Sequence, residues 1–513
     1  MGDPALNFYL YDMFVRKKVN RSGVISVQVI TKINGKSRLV RTIGSSSNER
    51  IIEDLVERGY QFISSFGGQK TVDFTDESSL LRSAFQSIYS HTEVGTELLL
   101  GKIFGDIGFN EVQDVIFRQL VFSRLTFPVS KLKTSDYLGK YHNLDYPVQQ
   151  IYRYMDKLHS REKELVQRIS YEHTKKILGN RISVVFYDVT TLYFEIDQQD
   201  ELRKTGFSKE GRHQNPQIVL GLLVSKNGYP LAYDIFEGNK FEGHTLLPVL
   251  ESFKEKYRLG QMVIIADSGL LSNDNIEELQ LRNYEFILGA RIKNEKRDIK
   301  DQILGLNLNS GESAIVKKGH LRLIVTYSGD RAKKDRQNRE NGLKKLEKLR
   351  KTGKLTKSNI NNRGYNKYLR MDGEVNITID YQKFDADAVW DGLKGYLTNT
   401  RLSKDEIIEN YGHLWQIEKA FRISKTDLKI RPIYHRLQHR IEAHICISFV
   451  AYKVYKELER QLNEMNSSLS PEKAIEIAKT IYQVKALTQN TEVSHILLIS
   501  DEQKYLFQLF KFG

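Results

Sequence analysis

The chain has 513 residues and a formal net charge of +14, and 40% of its residues are hydrophobic. This apolar content supports packed cores and excludes a disordered chain, while the positive charge favours a polyanionic partner, with nucleic acid first. A single cysteine, Cys446, excludes a disulfide framework. No apolar run reaches the roughly 18 residues of a membrane span. We therefore expect no membrane partner and a reducing compartment, which in a bacterium is most simply the cytoplasm.

The first predicted element is a basic β-ribbon between residues 14 and 42. Three alternating segments, VRKKVN, SGVISVQVITKI and SRLVRTIG, flank an Asn34-Gly35 pair, which is a strong hairpin signal. The ribbon carries Lys17, Lys18 and Arg38 and contains no acid. Such a ribbon is either a solvated edge or a DNA contact, and we favour DNA. With the helix expected after it, opened by a capping box of Ser46 and Glu49, residues 1–75 form a predicted DNA-binding unit.

Residues 76–180 have helical periodicity throughout, interrupted at Phe127-Pro128 and Tyr146-Pro147. Short helices with basic ends fit a DNA-binding region, and they fit a generic helical bundle equally well. Periodicity alone does not separate these two interpretations.

At Arg181 the pattern changes to strands. An apolar run ends at Asp188, two strands surround the Asn227-Gly228 turn, and a helix follows. The next strand ends at Asp267, and a further helix and strand complete residues 181–293. Three strands in a meander, followed by helix, strand, helix and strand, predict an α/β fold with a ribonuclease H-like catalytic core.

This predicted core is interrupted by a β-rich insertion at residues 294–390 and resumes at residues 391–455. The insertion contains a basic segment from Arg331 to Arg370, including Lys333 and Lys334, which is either a solvated face or a DNA phosphate contact. Residues 456–513 are predicted to be a C-terminal helical region that could serve in oligomerisation.

Residues 411–425 read as one amphipathic helix. At 3.6 residues per turn, a single stripe contains a carboxylate, two cations and an aromatic side chain. The stripe consists of Tyr411, Leu414, Glu418, Arg422 and Lys425. By itself it fits a solvated face with helical ion pairs as well as a site for metal and phosphate.

Asp188, Asp267 and Glu418 together point to metal chemistry. Each aspartate alone could cap a turn or helix, but two acids at strand ends and one on a helix can bind a pair of hard divalent cations. Two Mg²⁺ ions about 3.5–4 Å apart would activate a water or a 3′-hydroxyl and stabilise the leaving oxygen of a phosphodiester.

Residues 180–450 resemble the DDE transposases of bacterial insertion sequences, in the cut-and-paste group with a β-stranded insertion domain. The similar segments are YDVTTLYFE, GFSKEGRHQNPQIVLGLL, FEGNKFEGHT and RPIYH. The helix signature of this group is Tyr, two residues, Arg, three residues, Glu, six residues, Lys. Tyr411, Glu418 and Lys425 match it, whereas Leu414 occupies the arginine position and Arg422 is a candidate replacement.

The resemblance implies roles for individual residues. Asp188, Asp267 and Glu418 correspond to the metal-binding catalytic triad, with two Mg²⁺ ions for which Mn²⁺ can substitute. Tyr411 and Lys425 correspond to ligands of the phosphates at the transposon end. Two further residues, in the loop between the aspartates, are expected to contact DNA or to have no more than a loop role. These are Arg212 and His213.

The resemblance also implies an activity: binding of terminal inverted repeats, metal-dependent cleavage, and joining of 3′-hydroxyl ends to target DNA by a homodimer on paired ends. Two alternatives remain at this point. One is a metal-dependent nuclease on the same core without strand transfer, and the other is a catalytically idle DNA-binding regulator.

Overall fold

The computed structural model describes residues 13–33, 35–66, 77–196, 198–208, 211–270, 272–361, 364–372, 376–488 and 491–512. The chain divides into two compact units. The first comprises residues 1–89 and 486–493, and the second comprises residues 90–485 and 494–513. In the described ranges, every helix is too short or too polar to span a bilayer.

The first unit contains the predicted ribbon. Strands β1 (Met13–Val19), β2 (Ile25–Ile33) and β3 (Lys36–Ser46) form an antiparallel sheet in the order β1-β2-β3. Helices α1 (Glu49–Phe66) and α2 (Glu77–Gln86) follow. The sheet packs on α1 through a small apolar cluster built on Val27, Ile52 and Leu55. Ribbon strands alternate apolar and polar residues, so one face can be buried while basic side chains stay in solvent.

One predicted detail of this unit is wrong, and another lies outside the residues that the structure describes. The predicted capping box at Ser46 is wrong, because Ser46 ends β3 and α1 begins at Glu49. Asn48 precedes the helix, and its Oδ1 accepts a hydrogen bond from the Arg50 amide at 3.0 Å. The residue Asn34 of the predicted turn lies outside the described residues.

The remaining elements lie in the second unit, apart from strands near residues 89 and 486–493 that cross its boundary. The strands are β4 (Ile88–Glu93), β5 (Val184–Tyr193), β6 (Gln217–Ser225), β7 (Pro230–Glu237), β8 (Val263–Ala266), β9 (Glu285–Ala290), β10 (Ser313–Lys318), β11 (Leu321–Tyr327), β12 (Leu369–Asp372), β13 (Asn376–Ile379), β14 (Leu393–Thr398), β15 (Tyr482–Thr488) and β16 (Thr491–Leu497). The helices are α3 (Gly95–Ile107), α4 (Val115–Thr126), α5 (Lys131–His142), α6 (Val148–Lys157), α7 (Lys163–Ile177), α8 (Leu246–Tyr257), α9 (Asn273–Leu281), α10 (Arg297–Leu304), α11 (Gly329–Lys351), α12 (Tyr381–Ala386), α13 (Lys404–Gly412), α14 (Trp415–Thr426), α15 (Gln438–Glu464), α16 (Pro471–Ala478) and α17 (Asp501–Phe510).

A mixed eight-stranded sheet forms the centre of this unit, in the order β10-β11-β14-β9-β8-β5-β6-β7. Strands β5, β6 and β7 are an antiparallel meander, and β8 and β9 continue parallel to β5. The predicted succession of three strands, helix, strand, helix and strand is therefore observed. Alternate residues of β5 belong to different apolar clusters on the two faces, Phe186 to one and Val185 and Tyr187 to the other.

The segment predicted as a β-rich insertion has a mixed structure. Strands β10 and β11 extend the main sheet, because β11 pairs antiparallel with β14. The first half of the basic segment, up to Lys351, lies in the 23-residue helix α11, which shares a small core with the β12-β13 hairpin and α12. Leu346, Tyr368 and Phe384 are buried in that core.

Candidate active site

The register of the central sheet brings Asp188 and Asp267 side by side. Strands β5 and β8 are parallel, and their last paired residues are Tyr187 and Ala266. The two aspartates are the next residues of the two strands, which lie about 4.8 Å apart in the hydrogen-bonding direction. The sequence analysis expected Asp188 to end its strand. This expectation is wrong, because β5 continues along β6 to Tyr193. The acids instead mark the point at which β8 leaves the sheet.

Both aspartates are on the sheet face that α14 covers. Side chains two positions apart on a strand point to the same face of the sheet. Asp188 is therefore on the same face as Phe186, and Asp267 is on the same face as Ile265. Phe186 and Ile265 are buried in the same apolar cluster as Ile417 and Phe421 of α14. The buried stripe of α14 therefore holds this helix over the strands that carry the acids.

The sequence analysis predicted one helix from Tyr411 to Lys425, and this prediction is wrong. The stretch consists of α13, which ends at Gly412, and α14, which begins at Trp415. Leu414 lies in the break and is only 8% exposed, packed in the apolar cluster that includes Ile417. Because this position faces the core, an apolar residue there has a structural reason.

Glu418 lies in the first turn of α14 and is exposed to solvent. The partial positive charge of a helix N-terminus favours a carboxylate at this position. Further along the same helix, Arg422 is exposed and Lys425 is half-buried. The helix thus presents an acid followed by two cations on its uncovered side.

Tyr411 connects the helical segment to the strand acids. Its hydroxyl donates a hydrogen bond to Oδ1 of Asp267 at 3.3 Å, and its side chain is 5% exposed. Burial, and then the nearby charge of Asp267, raise the pKa of Tyr411 far above its ordinary value. The hydroxyl therefore remains a hydrogen-bond donor throughout the neutral and alkaline range. The sequence analysis assigned Tyr411 to DNA phosphate and did not foresee this contact.

Lys394 is a residue of this site that the sequence analysis missed. Its Nζ lies 4.7 Å from the centre of the Tyr411 ring. Burial, and then Arg331, lower the pKa of Lys394, while the charges of Asp267 and Glu418 oppose this decrease. The charge of Lys394 is therefore influenced by both Asp267 and Glu418. The available signal was a lysine within the otherwise apolar strand LKGYLT.

The acids suit a hard divalent cation. In the described parts of the chain, no three carboxylate, imidazole or thiol groups are close enough to form a complete metal site. Mg²⁺, however, needs few protein carboxylates, because it retains waters and binds substrate phosphate oxygens. The neighbouring carboxylates of Asp188 and Asp267 provide the oxygen donors that it prefers, and Glu418 lies on the same sheet face.

Arg212 and His213 lie in an exposed loop. The Arg212 guanidinium is 4.3 Å from the centre of the Tyr193 ring, at the end of β5. His213 Nδ1 accepts a hydrogen bond from the Ser208 amide at 3.2 Å. Arg212 is thereby directed to the strand that carries Asp188, whereas His213 stabilises its own loop.

The remaining basic candidates belong to two other parts of the chain, the ribbon and helix α11. Lys17, Lys18 and Arg38 are exposed residues of the first unit. Lys333 and Lys334 are exposed on α11, and Lys333 has an ion pair with Asp330 at 3.6 Å. Arg339, another cation of the basic segment, is structural, because it pairs with Asp391 at 2.7 Å and both side chains are nearly buried.

Comparison with known proteins identifies the family. A family model described as "Transposase DDE domain" matches residues 179–453, more than half of the chain and the part that contains all three acids. Among solved structures, a cryo-EM structure of the piggyBac transposase in a synaptic complex with hairpin DNA is similar, with a TM-score of 0.39 and 9% identity. That similarity covers 75% of this chain and 78% of the other. No curated protein matches. On the evidence of the family model, the chain belongs to the transposase DDE domain family.

Proposed function

We propose that this protein is the transposase of a bacterial insertion sequence, acting on DNA in the cytoplasm. It binds terminal inverted repeats, cleaves the transposon ends by metal-dependent phosphodiester hydrolysis and joins the 3′-hydroxyl ends to target DNA. The observation that carries the proposal is the register of β5 and β8, which makes Asp188 and Asp267 neighbours under α14. The strand order β7-β6-β5-β8-β9 supports a ribonuclease H-like core.

Asp188, Asp267 and Glu418 would hold two Mg²⁺ ions, with Mn²⁺ as a substitute. When bound, the metal supplies an activated water or 3′-hydroxyl and charge stabilisation of the leaving oxygen. Tyr411 fixes the orientation of the Asp267 carboxylate through its hydroxyl. Lys394 balances the negative charge of Asp267 and Glu418 before substrate arrives.

Cations around the acids would bind the DNA backbone. Lys425 and Arg422, which follow Glu418 on α14, would contact phosphates near the scissile bond. Further exposed side chains would supply sequence-independent affinity, since phosphate neutralisation dominates the binding of duplex DNA. These are Arg212, His213, Lys17, Lys18, Arg38, Lys333 and Lys334.

The proposal is tested by a strand-transfer assay with pre-cleaved and intact end DNA, Mg²⁺, and the variants Asp188→Asn, Asp267→Asn and Glu418→Gln. We expect each variant to lose cleavage and joining by at least a hundredfold and to retain end binding. Asp274→Asn is the matched control, because Asp274 is an exposed acid in the first turn of α9.

The same assay separates the alternatives. Cutting without joining would make the protein a nuclease, and binding without either reaction would make it a regulator. An equal loss of binding and cleavage in all three variants would mean that the acids maintain the fold.

A further inference from the structure

A cationic cavity of about 420 Å³ lies in the second unit, where the end of α4, the start of α5 and residues 429–435 meet. Five cationic side chains line it, together with two histidines. The cations are Arg124, Lys131, Lys133, Lys429 and Arg431. All of the lining residues belong to the described part of the chain, and none of them is an acid. Asp188, Asp267 and Glu418 are not among them, so the cavity is a different site from the acids.

Two of these cations are buried without a carboxylate partner. Arg124 and Lys131 are each 4% exposed. The two terminal nitrogens of Arg124 point to the carbonyls of Leu428 and Lys429 and to His444, all at 3.4 Å, and its Nε has no hydrogen-bond partner. The Lys131 ammonium makes no ion pair or hydrogen bond with another described residue. An isolated buried charge costs several kcal/mol, roughly, so an anion in the cavity would relieve both.

The histidines cannot supply that negative charge, and both are neutral near pH 7. His444 is the tautomer with its proton on Nε2, because this nitrogen faces the Ile430 carbonyl at 2.9 Å and must donate to it. Its Nδ1 then faces Arg124 as an acceptor. Burial, and then Lys131 and Arg124, lower the pKa of His435 to about 3. The neutral rings leave room for polar contacts to a ligand without adding a further cation.

A helix N-terminus at the same cavity adds a second preference for an anion. Helix α5 begins at Lys131, with Ser130 as its N-cap, and Ser130, Lys131 and Lys133 all line the cavity. Amide N–H groups in the first turn of a helix lack intrahelical acceptors and carry partial positive charge. Buried cations and a helix N-terminus are the two features that phosphate sites in proteins combine.

We propose that this cavity binds a phosphate group. Its volume is that of roughly fourteen water molecules at about 30 Å³ each, enough for a phosphate with an attached sugar. The phosphate could come from a DNA strand or from free inorganic phosphate, and both present the same oxygens to Arg124 and Lys131. The inference goes beyond the proposed function, because it requires neither the acids nor a metal.

Lys131→Met tests the proposal, with Lys140→Met as the matched control on the exposed side of the same helix. Thermal unfolding is followed with increasing inorganic phosphate, against chloride at equal ionic strength. Phosphate should raise the melting temperature of the wild-type protein and of Lys140→Met in a concentration-dependent way. Lys131→Met should melt higher than wild type without phosphate, since it removes a desolvated charge, and should show no phosphate shift.

A second measurement identifies the source of the phosphate. Binding of a DNA duplex is measured in buffer without phosphate or metal. An affinity at least tenfold weaker in Lys131→Met than in Lys140→Met supports the proposal with DNA as the source. An unchanged duplex affinity, together with a lost phosphate shift, supports it with free phosphate as the source. Arg431→Gln, a half-buried residue of the lining, replaces Lys131→Met if that variant does not fold.

The proposal is overturned if Lys131→Met, or Arg431→Gln in its place, responds to phosphate and to duplex as wild type does. Because no cleavage is measured, a protein that fails the strand-transfer assay can still pass this test. The reverse also holds, so the two failures are distinguishable.

Discussion

The contact between Tyr411 and Asp267 gives a prediction at the scale of single residues. Tyr411→Phe removes the hydrogen bond at 3.3 Å and keeps the ring that packs against Tyr396. A hydrogen bond to a charged group contributes roughly 1.5–3 kcal/mol, so we expect cleavage to slow at least about tenfold. Single-turnover cleavage as a function of Mg²⁺ concentration measures this effect, and the variant should need more Mg²⁺ because Asp267 is less well oriented.

Tyr396→Phe is the control for this prediction, since it removes the hydroxyl of the neighbouring ring. DNA binding should be unchanged in both variants. If both variants lose activity equally, the loss cannot be assigned to the hydrogen bond between Tyr411 and Asp267.

Residue types at the site were predictable from sequence only where a pattern marks them. Asp188 and Asp267 each follow an apolar run, and the spacing of Glu418 from Tyr411 and Lys425 is the one that the sequence analysis compared with the helix signature of a resembling group. Lys394 has no such pattern. It lies near the acids because β14 pairs with β9, and this long-range pairing is a property of the sheet order that residue spacing does not encode.

At the scale of elements, Glu93 caps helix α3 from a buried position. Its Oε1 accepts from the Thr96 amide at 2.8 Å, and Oε2 lies 3.3 Å from Nε2 of His142. Burial is the largest effect and raises the pKa of Glu93 from 4.5 to about 6. The folded state therefore binds the proton more tightly than the unfolded state between these two pH values.

This shift predicts how stability depends on pH. Between pH 4.5 and 6, Glu93 should lower the free energy of unfolding as pH rises, by ~2 kcal/mol in total. Glu93→Gln lacks this titration and keeps an oxygen that can cap α3. Chemical denaturation at several pH values should show the variant gaining ~2 kcal/mol over wild type across this window. A difference that stays constant with pH, or an equal gain in the neighbouring variant Glu97→Gln, would contradict the assignment.

Helix α11 carries the second prediction at this scale. Lys333 and Lys334 are exposed, unlike Arg339, which is engaged with Asp391. If each exposed lysine neutralises one DNA phosphate, Lys333→Gln/Lys334→Gln should reduce the slope of log affinity against log salt by ~0.9 per contact. Binding titrations at several salt concentrations measure the slope. The double variant Lys473→Gln/Lys504→Gln, with the same charge change on other exposed helices, is the control. Equal slopes in the two double variants would assign the α11 lysines to solvent.

Elements with strong local patterns were predicted well, and their interruptions were not. The alternating strands of the ribbon and the apolar strands of the central sheet occur where expected. The break between α13 and α14 was missed, although Gly412 at the end of α13 is a helix-terminating signal. The helical region also contains the short strand β4, whose pairing with β15, far along the chain, is not visible from local sequence.

At the scale of the whole molecule, concerted insertion requires two transposon ends in one complex. We expect a homodimer on paired ends, and therefore mixed end duplexes of two lengths should give three slow complexes in a native gel: short with short, long with long, and one of intermediate mobility. Two complexes without the intermediate species would mean that each protein assembly holds a single end.

Domain boundaries were the least predictable feature at this scale. The boundary at residue 181 is marked by a change from helical periodicity to strand-like apolar runs. The boundaries of the predicted insertion are not marked in this way, because its strands β10 and β11 belong to the main sheet. Whether a strand extends an existing sheet or starts a separate one depends on its partner. That partner, β14, begins more than sixty residues after β11 ends.

The first unit is built from two segments that lie far apart in the chain, and this affects how it forms during synthesis. This unit contains the basic ribbon and residues 486–493, with the Leu487 amide bonded to the Ser87 carbonyl at 3.1 Å. During synthesis the ribbon leaves the ribosome long before residues 486–493, so its unit is incomplete until translation reaches them. Premature termination after Glu418 but before residue 486 would produce a chain that retains the ribbon and the three acids but leaves the first unit incomplete. Such a nascent or truncated polypeptide would contain Asp188, Asp267 and Glu418 without a finished ribbon-bearing unit.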